Sequence, residues 1–262
     1  RIMDKLSGQI LPLGKAAVAL SGGLDSSVLL AICADILGAE NCLAVSADTP
    51  YMMASEQESA DKLCRKIGVK RISVRLSIPD CIKNNPPDRC YLCKRLIFGR
   101  LIEEASARGF EKLLDGTNAG DLSDYRPGMR ALSELGVFSP FLEAGWGKKE
   151  IQECALERGM DVAGKPAYAC LMTRFETGAR IDESLLKMVD ESEDFLRSLG
   201  FSSVRVRIHG KCARIEVSPD LLQKFCVPEN MGVVSAQLKK IGFKYVSVDL
   251  EGYRRGAMNA QI

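Results

Sequence analysis

The chain has 262 residues, of which 46% are hydrophobic, 27% charged and 6% aromatic, a composition that supports a full globular core and excludes a disordered chain. Thirty-six basic against thirty-four acidic residues leave a net charge of +2, too balanced for the broad basic footprint of a nucleic-acid binder, so no nucleic-acid partner is expected. No apolar run approaches the roughly 18 residues of a membrane span, and the start, Arg1-Ile2-Met3-Asp4-Lys5-Leu6-Ser7-Gly8, lacks the apolar stretch of a signal peptide, so a cytoplasmic protein without a membrane partner is expected.

Ala16-Ala17-Val18-Ala19-Leu20 reads as a buried strand, followed by a glycine-bearing turn and a helix from Ser26 to Leu37. Cys42–Asp48 reads as a second strand, 53–67 as an amphipathic helix, and Arg71–Leu76 as an alternating strand. A helix over 90–108, a strand over Lys112–Gly116 and a helix over Lys148–Arg158, ended near Gly159, continue the alternation. Strands alternating with helices predict an α/β fold with a doubly wound parallel sheet covered on both faces. Beyond about residue 180 the pattern changes. A long helix over Asp182–Leu199, β segments at Val204–Ile208 and Ala213–Val217, a helix near Met231–Ile241 and a strand over Tyr245–Leu250 make a smaller α+β unit. Gly164, Pro166 and Gly178 break both periods, which divides the chain into an expected nucleotide domain at 1–165 and a second domain at 166–262.

Ser21-Gly22-Gly23-Leu24-Asp25-Ser26-Ser27 links the first strand to its helix. Glycines let backbone N–H groups approach an anion, and the helix N-terminus adds partial positive charge. Serine hydroxyls add donors, and Asp25 suits a Mg²⁺ ion accompanying nucleotide phosphates or, equally, a place in the first helical turn. No Gly-Lys-Ser/Thr follows, so this is not a Walker loop. It resembles the Ser-Gly-Gly-x-Asp-Ser signature of the PP-loop ATP pyrophosphatases, and that resemblance implies that Ser21, Gly22, Gly23, Asp25, Ser26 and Ser27 bind the pyrophosphate end of ATP. Ligands in open α/β sheets sit at the carboxyl ends of strands, so Ser46-Ala47-Asp48 is a candidate pocket wall. Asp115–Asp121, including Gly116, Thr117 and Asn118, is a second strand end suited to phosphate, ribose or metal, or simply a polar turn.

Among ten cysteines, Cys90 and Cys93 form the only Cys-x-x-Cys pair. That spacing suits a metal, a cluster, redox chemistry or burial. Cys170, at the expected domain junction and near Arg174, is the candidate third ligand or nucleophile. Cys33, Cys42, Cys64, Cys81, Cys154, Cys212 and Cys226 fit ordinary apolar patterns and read as buried small hydrophobes. The single histidine, His209, excludes a histidine-rich zinc site.

The phosphate loop, Asn85–Cys90, Asp124–Gly128, Cys170–Arg174, Val204–Arg207 with His209, Ala213–Glu216 and Asp249–Arg254 together resemble the LarE family, the ATP-dependent sulfur transferases of nickel-pincer nucleotide cofactor synthesis. The resemblance implies a small-molecule nucleotide substrate, pyridinium-3,5-biscarboxylic acid mononucleotide, whose carboxylate is adenylylated and then converted to a thiocarboxylate. It implies ATP and Mg²⁺ as cofactors, a sulfide donor as partner, and a homo-oligomer with a hexamer as one candidate. Cys90, Cys93 and Cys170 together resemble the three-cysteine form, in which the thiolates hold a [4Fe-4S] cluster. The alternative is the form in which Cys170 alone surrenders its sulfur. Arg205 and Arg207 alternate on one strand and so share a face, where two guanidinium forks suit the substrate phosphate; Arg174 is expected to orient a carboxylate or phosphate in the same cleft. Without the resemblance, the alternating arginines read as a solvated strand face; the resemblance also implies that Glu193 and Glu216 lie near the pocket, although helix-surface and strand-edge carboxylates are their ordinary reading. Rivals are a tRNA-thiolating PP-loop enzyme, an amide-forming synthetase and a non-enzymatic nucleotide sensor with a metal site.

Overall fold

The computed structural model describes residues 2–123, 127–165 and 169–254. Two compact units divide the chain: Arg1–Thr49, Ala54–Pro79 and Asp88–Tyr168 form the first, and Pro50–Met53, Asp80–Pro87 and Ala169–Ile262 the second. They do not follow a single cut, because two short loops of the N-terminal half belong to the second unit. Tyr51 C=O accepts from Leu171 N–H (3.1 Å), Lys83 C=O from Ile181 N–H (2.6 Å) and Asn85 C=O from Gly178 N–H (3.0 Å). The expected break at residue 165/166 borders 166–168, which lie outside the described residues.

The first unit begins with α1 (Ile2–Ile10), followed by β1 (Ala16–Ala19), α2 (Leu24–Leu37), β2 (Cys42–Asp48), α3 (Ala54–Ile67) and β3 (Lys70–Arg75). Then come α4 (Arg89–Ser106), β4 (Leu113–Leu114), α5 (Pro127–Glu134), α6 (Pro140–Ala144) and α7 (Lys148–Glu157). The strands pair in parallel in the order β3-β2-β1-β4. β1 is buried along its whole length, as a central strand covered on both faces must be. Ala16, Val18 and Leu20 join one apolar cluster with Val28, Leu29 and Ile32 of α2 and with Phe141 and Trp146, whose rings stack at 5.2 Å. β4 is shorter than expected because the chain leaves it to pair with the Phe138 segment: Asp115 N–H donates to Phe138 C=O (3.0 Å). The strand order reverses between β1 and β4, so the loops after both strands flank one switch point, where α/β sheets bind ligands.

The second unit contains α8 (Glu183–Ser198), β5 (Val204–His209), β6 (Cys212–Val217), α9 (Leu222–Phe225), α10 (Pro228–Ile241) and β7 (Tyr245–Val248). Asp182 caps α8 by accepting from Ser184 N–H at 2.7 Å. β5 and β6 are antiparallel, and β7 runs parallel beside β6. Register places Val204, Val206 and Ile208 opposite Val217, Ile215 and Ala213, which makes one face apolar. The other face carries Arg205 and Arg207 opposite Glu216 and Arg214. That face is buried rather than solvated: Arg205 is 4%, Arg207 5% and Glu216 0% exposed, so burial overturns the solvated-face reading.

Candidate active site

The phosphate loop is shaped by contacts only glycine permits. Gly22 has φ +85°, and a Cβ there would lie 2.0 Å from the Glu56 carbonyl oxygen. Ser26 Oγ accepts from Ser21 N–H (3.1 Å) and lies 3.0 Å from Ser21 Oγ, while Ser21 Oγ accepts from Gly23 N–H (3.2 Å). Two of the expected serines thus hold the turn closed. Ser27 Oγ is buried without a hydrogen-bond partner among the described residues, an unspent donor at the start of α2. Gly116, in the loop after β4, packs on this turn so tightly that a Cβ would lie 2.8 Å from Ser26 N.

Asp25 Oδ2 accepts from Asn118 Nδ2 at 3.4 Å and pairs with Lys148 Nζ. Lys148 went unnoticed in the sequence, because 123 residues separate it from Asp25. It opens α7 just after Gly147, whose N–H donates to Glu150 Oε2 (2.8 Å), and this capped start fixes where the lysine stem leaves the backbone. The rest of the loop after β4 is largely self-satisfied. Asp115 accepts from Thr117 Oγ1 and from Ser139 Oγ (2.5 Å), and Asp121 from Asn118 N–H (3.1 Å). Ser46 Oγ donates to Leu20 C=O (2.7 Å) and accepts from Arg71 Nε (3.0 Å), so its hydroxyl ties β1 to β3. Asp48 lines a polar cavity of about 390 Å³ with Gln57, Asp61, Arg71 and Ser73.

Cys90 and Cys93 stand one turn apart at the start of α4, so their side chains share a helix face; Cys90 is exposed and Cys93 partly buried. Cys170, in the second unit, is exposed at the head of a short 3₁₀ turn over Leu171–Arg174. Three accessible thiols fit the ligand chemistry of an iron-sulfur cluster. Within each unit taken by itself, no three described His, Cys, Asp or Glu side chains stand close enough to hold a metal ion. Burial separates off Cys33, Cys42, Cys64 and Cys154 as expected, and it pushes the Cys42 and Cys64 thiols up to about 11, too high for ready thiolate chemistry. Cys81 and Cys226 are instead exposed and Cys212 half-buried, which corrects the reading of these three as core thiols: each sits at an element end or in a short turn.

The arginines of the second unit form a buried network. Arg207 donates from Nη2 to Glu216 Oε2 (2.9 Å) and from Nη1 to Thr173 C=O (2.7 Å), while its Nε is buried without a partner among the described residues. Arg214 reaches the other Glu216 oxygen (3.3 Å), pairs with Asp249, and donates from Nε to His209 Nε2 (3.0 Å). On its other side the His209 ring places Nδ1 2.8 Å from Glu176 Oε1. Arg205 lies over the Tyr253 ring at 4.9 Å. Burial and repulsion from Arg174 and Arg207 pull its guanidinium below the ordinary range, with Glu193 and Tyr253 opposing.

Arg174 departs from expectation. It is fully buried, and each of its three guanidinium nitrogens donates within the protein: Nε to Glu193 Oε1 (2.8 Å), Nη2 to Glu193 Oε2 (2.9 Å), and Nη1 to Ala169 C=O (3.0 Å), Cys170 C=O (3.3 Å) and Thr173 Oγ1 (2.7 Å). A side chain so committed does not orient substrate directly. Glu193 and Glu216, read as surface carboxylates, are fully buried and are the anions this network is built around. Of the segments carrying the resemblance, Asp124, Tyr125 and Arg126 lie outside the described residues.

A parallel sheet whose switch point carries Ser-Gly-Gly-x-Asp-Ser defines a PP-loop enzyme, and a family model described as NAD synthase matches residues 7–85. A pyridinium-3,5-bisthiocarboxylic acid mononucleotide synthase of Lactiplantibacillus plantarum is 37% identical over 249 residues, covering 94% of this chain and 90% of that protein. An uncharacterized protein of Synechocystis is 36% identical over 94% of this chain and 92% of its own length. A component of the glutamine-hydrolyzing GMP synthase of Archaeoglobus fulgidus matches at 30% identity over only 48% of this chain and 42% of its own length. The chain belongs to the LarE family of sulfur-transferring synthases. Among the described residues, no helix is long and apolar enough to cross a membrane.

Proposed function

We propose that this enzyme uses ATP to convert a carboxylate of pyridinium-3,5-biscarboxylic acid mononucleotide into a thiocarboxylate. The observation that carries the reading is the pairing of two features in one family member: a PP-loop whose shape depends on Gly22 and Gly116, and an exposed Cys170 whose turn is tied through Thr173 to buried Arg207. A carboxylate cannot be displaced directly, because oxide would be the leaving group. Its oxygen therefore attacks the α-phosphorus of ATP, the bond to the β-phosphate breaks, and pyrophosphate leaves as the acyl-adenylate forms. A sulfur nucleophile then adds to the activated carbonyl carbon, and AMP departs with the electron pair of the broken C–O bond.

In this reading the glycine turn, with the unspent Ser27 hydroxyl at the start of α2, holds the departing pyrophosphate, where preorganised donors stabilise developing charge. Mg²⁺ suits the same phosphates, with Asp25 its candidate ligand and Lys148 an exchangeable partner of that carboxylate. The polar cavity by Asp48 is the candidate for the nucleoside end, with Ser46 acting through its backbone. Arg205 and Arg207, the latter with a free Nε donor, take the substrate phosphate. Cys90, Cys93 and Cys170 would hold a [4Fe-4S] cluster, which supplies renewable sulfide when bound. A homo-oligomer and an external sulfide donor complete the proposal.

The exposure of Cys170 equally suits a reading in which it surrenders its own sulfur. Iron and acid-labile sulfide on anaerobically purified protein separate the two. About four irons per chain, lost in Cys90→Ala and in Cys170→Ala, support the cluster; iron absent after careful reconstitution leaves Cys170 as the sacrificial donor. The adenylylation step is tested separately: adding the biscarboxylate mononucleotide should release pyrophosphate from ATP, and failure to do so contradicts the reading.

A further inference from the structure

Cys170 is exposed, but the backbone around it is held by several hydrogen bonds outside any helix or strand. Its carbonyl gathers Thr173 N–H (3.0 Å), Thr173 Oγ (2.8 Å) and Arg174 Nη1 (3.3 Å). Arg174 also takes the carbonyl on the preceding residue, Ala169, and the following residue is anchored through Leu171 N–H to Tyr51 C=O at 3.1 Å. The guanidinium is in turn fixed by donating in two prongs to Glu193, whose Oε1 also accepts Val206 N–H at 2.9 Å. The chain of contacts therefore runs from β5 through Glu193 and Arg174 to the two carbonyls flanking the Cys170 N–H. A stabilising ion pair alone explains none of the direction of Nη1, since burying two charges is at best a weak source of stability.

We infer that Arg174, clamped by Glu193, is a positioning residue that fixes the backbone at Cys170 and so sets where its sulfur can act. The inference rests on the sulfur-transfer reading above. It assigns Arg174 no contact with substrate: the residue acts through the loop it holds. Because a bidentate fork cannot be reproduced by an ammonium, lysine is not a conservative replacement here.

Two variants test it. Arg174→Lys keeps the charge and loses the fork. The double variant Arg174→Met, Glu193→Gln removes both charges of the buried pair while keeping the Gln oxygen for Val206 N–H, and Arg197, which also reaches Glu193 (3.5 Å), keeps Asp194 as its partner. The first readout is the rate at which iodoacetamide alkylates Cys170 in the reduced, chelator-treated full-length chain, mapped by peptide mass and normalised to Cys226 in the same sample. The second is the ratio of thiocarboxylate formed to pyrophosphate released. The expected result is a change of at least threefold in normalised Cys170 alkylation, and a loss of sulfur transfer that exceeds any loss of pyrophosphate release by tenfold or more. A folded double variant with both readouts within twofold of wild type overturns the inference, as does failure of both variants to fold, which makes the pair a stability device. If wild type releases no pyrophosphate, the functional reading fails, and the alkylation rates still decide whether Arg174 positions Cys170.

Discussion

Replacing Gly22 by alanine tests whether the phosphate loop depends on backbone geometry rather than on composition. At φ +85° an alanine costs about 1–2 kcal/mol in the left-handed region. Its Cβ would also meet the Glu56 carbonyl oxygen at 2.0 Å, which forces the loop or the start of α3 to move by about 1 Å to reach the 3.0 Å that real contacts respect. Allowing a similar cost for that shift brings the total to about 3 kcal/mol, or about a hundredfold in ATP affinity at 1.4 kcal/mol per tenfold. Gly23 is the control. Its φ is −80°, and an added Cβ meets nothing closer than Ser21 Oγ at 3.3 Å, so Gly23→Ala should bind ATP within threefold of wild type. Titration calorimetry with ATP on both variants reads the difference. ATP binding by Gly22→Ala within threefold of wild type, or equal damage at the two glycines, would refute the reasoning.

Further outcomes follow from the same geometry. Lys148→Met should lower pyrophosphate release at least tenfold while moving the melting temperature little, since a half-exposed ion pair contributes at most about 1 kcal/mol; calorimetric scanning and a phosphate-coupled assay check both halves. Arg205→Lys should raise KM for the mononucleotide more than kcat falls, because an ammonium loses the two-pronged grip on phosphate, and steady-state kinetics separates the two effects. Glu193→Gln should destabilise the protein by about 3–5 kcal/mol at neutral pH in urea denaturation, as breaking a buried pair does. Burial raises the Glu193 carboxyl, but the Arg174 charge and the hydrogen bonds from Arg174 and Val206 N–H outweigh it and hold it below the usual carboxylate range. Its contribution is therefore complete above the unfolded value of about 4.3 and lost as pH falls through the lower folded value. Wild type should lose stability in that acid window, and Glu193→Gln should show a shallower dependence there.

Much of the frame was legible because it rests on short-range patterning. The all-apolar Ala16–Ala19 and the seven residues Cys42–Asp48 announce buried parallel strands, and the glycine-serine turn between β1 and α2 announces an anion site. α1, α5 and α6 were not anticipated; α5 and α6 are short, begin at prolines and bury only part of their surface. The burial of the charged face of the second unit is not legible in the sequence for a different reason. Alternation along β5 tells which residues share a face, but not that Glu193 on α8 and Glu216 on β6 stand ready to neutralise them there. Sequence distance likewise hid Lys148 from Asp25 and the Arg174 fork from its carboxylate, since long-range pairing leaves no local period to read. The loop Pro50–Met53 joins the second unit through a backbone hydrogen bond, to which residue identity contributes little, and Asp80–Pro87 through backbone bonds and the buried Asn85 side chain, which donates to Phe175 C=O (3.2 Å) and Glu176 C=O (2.8 Å) far along the chain.

The central claim is that ATP cleavage and sulfur insertion are one coupled reaction on the biscarboxylate mononucleotide. Incubating anaerobic enzyme with that substrate, ATP, Mg²⁺ and sulfide, and counting AMP, pyrophosphate and product by mass spectrometry, tests it most directly. The account predicts one AMP and one pyrophosphate for each oxygen exchanged for sulfur, with none formed when the mononucleotide is omitted. ADP in place of AMP, or AMP and pyrophosphate accumulating while the mononucleotide keeps all its carboxylate oxygens in the presence of sulfide, would contradict it.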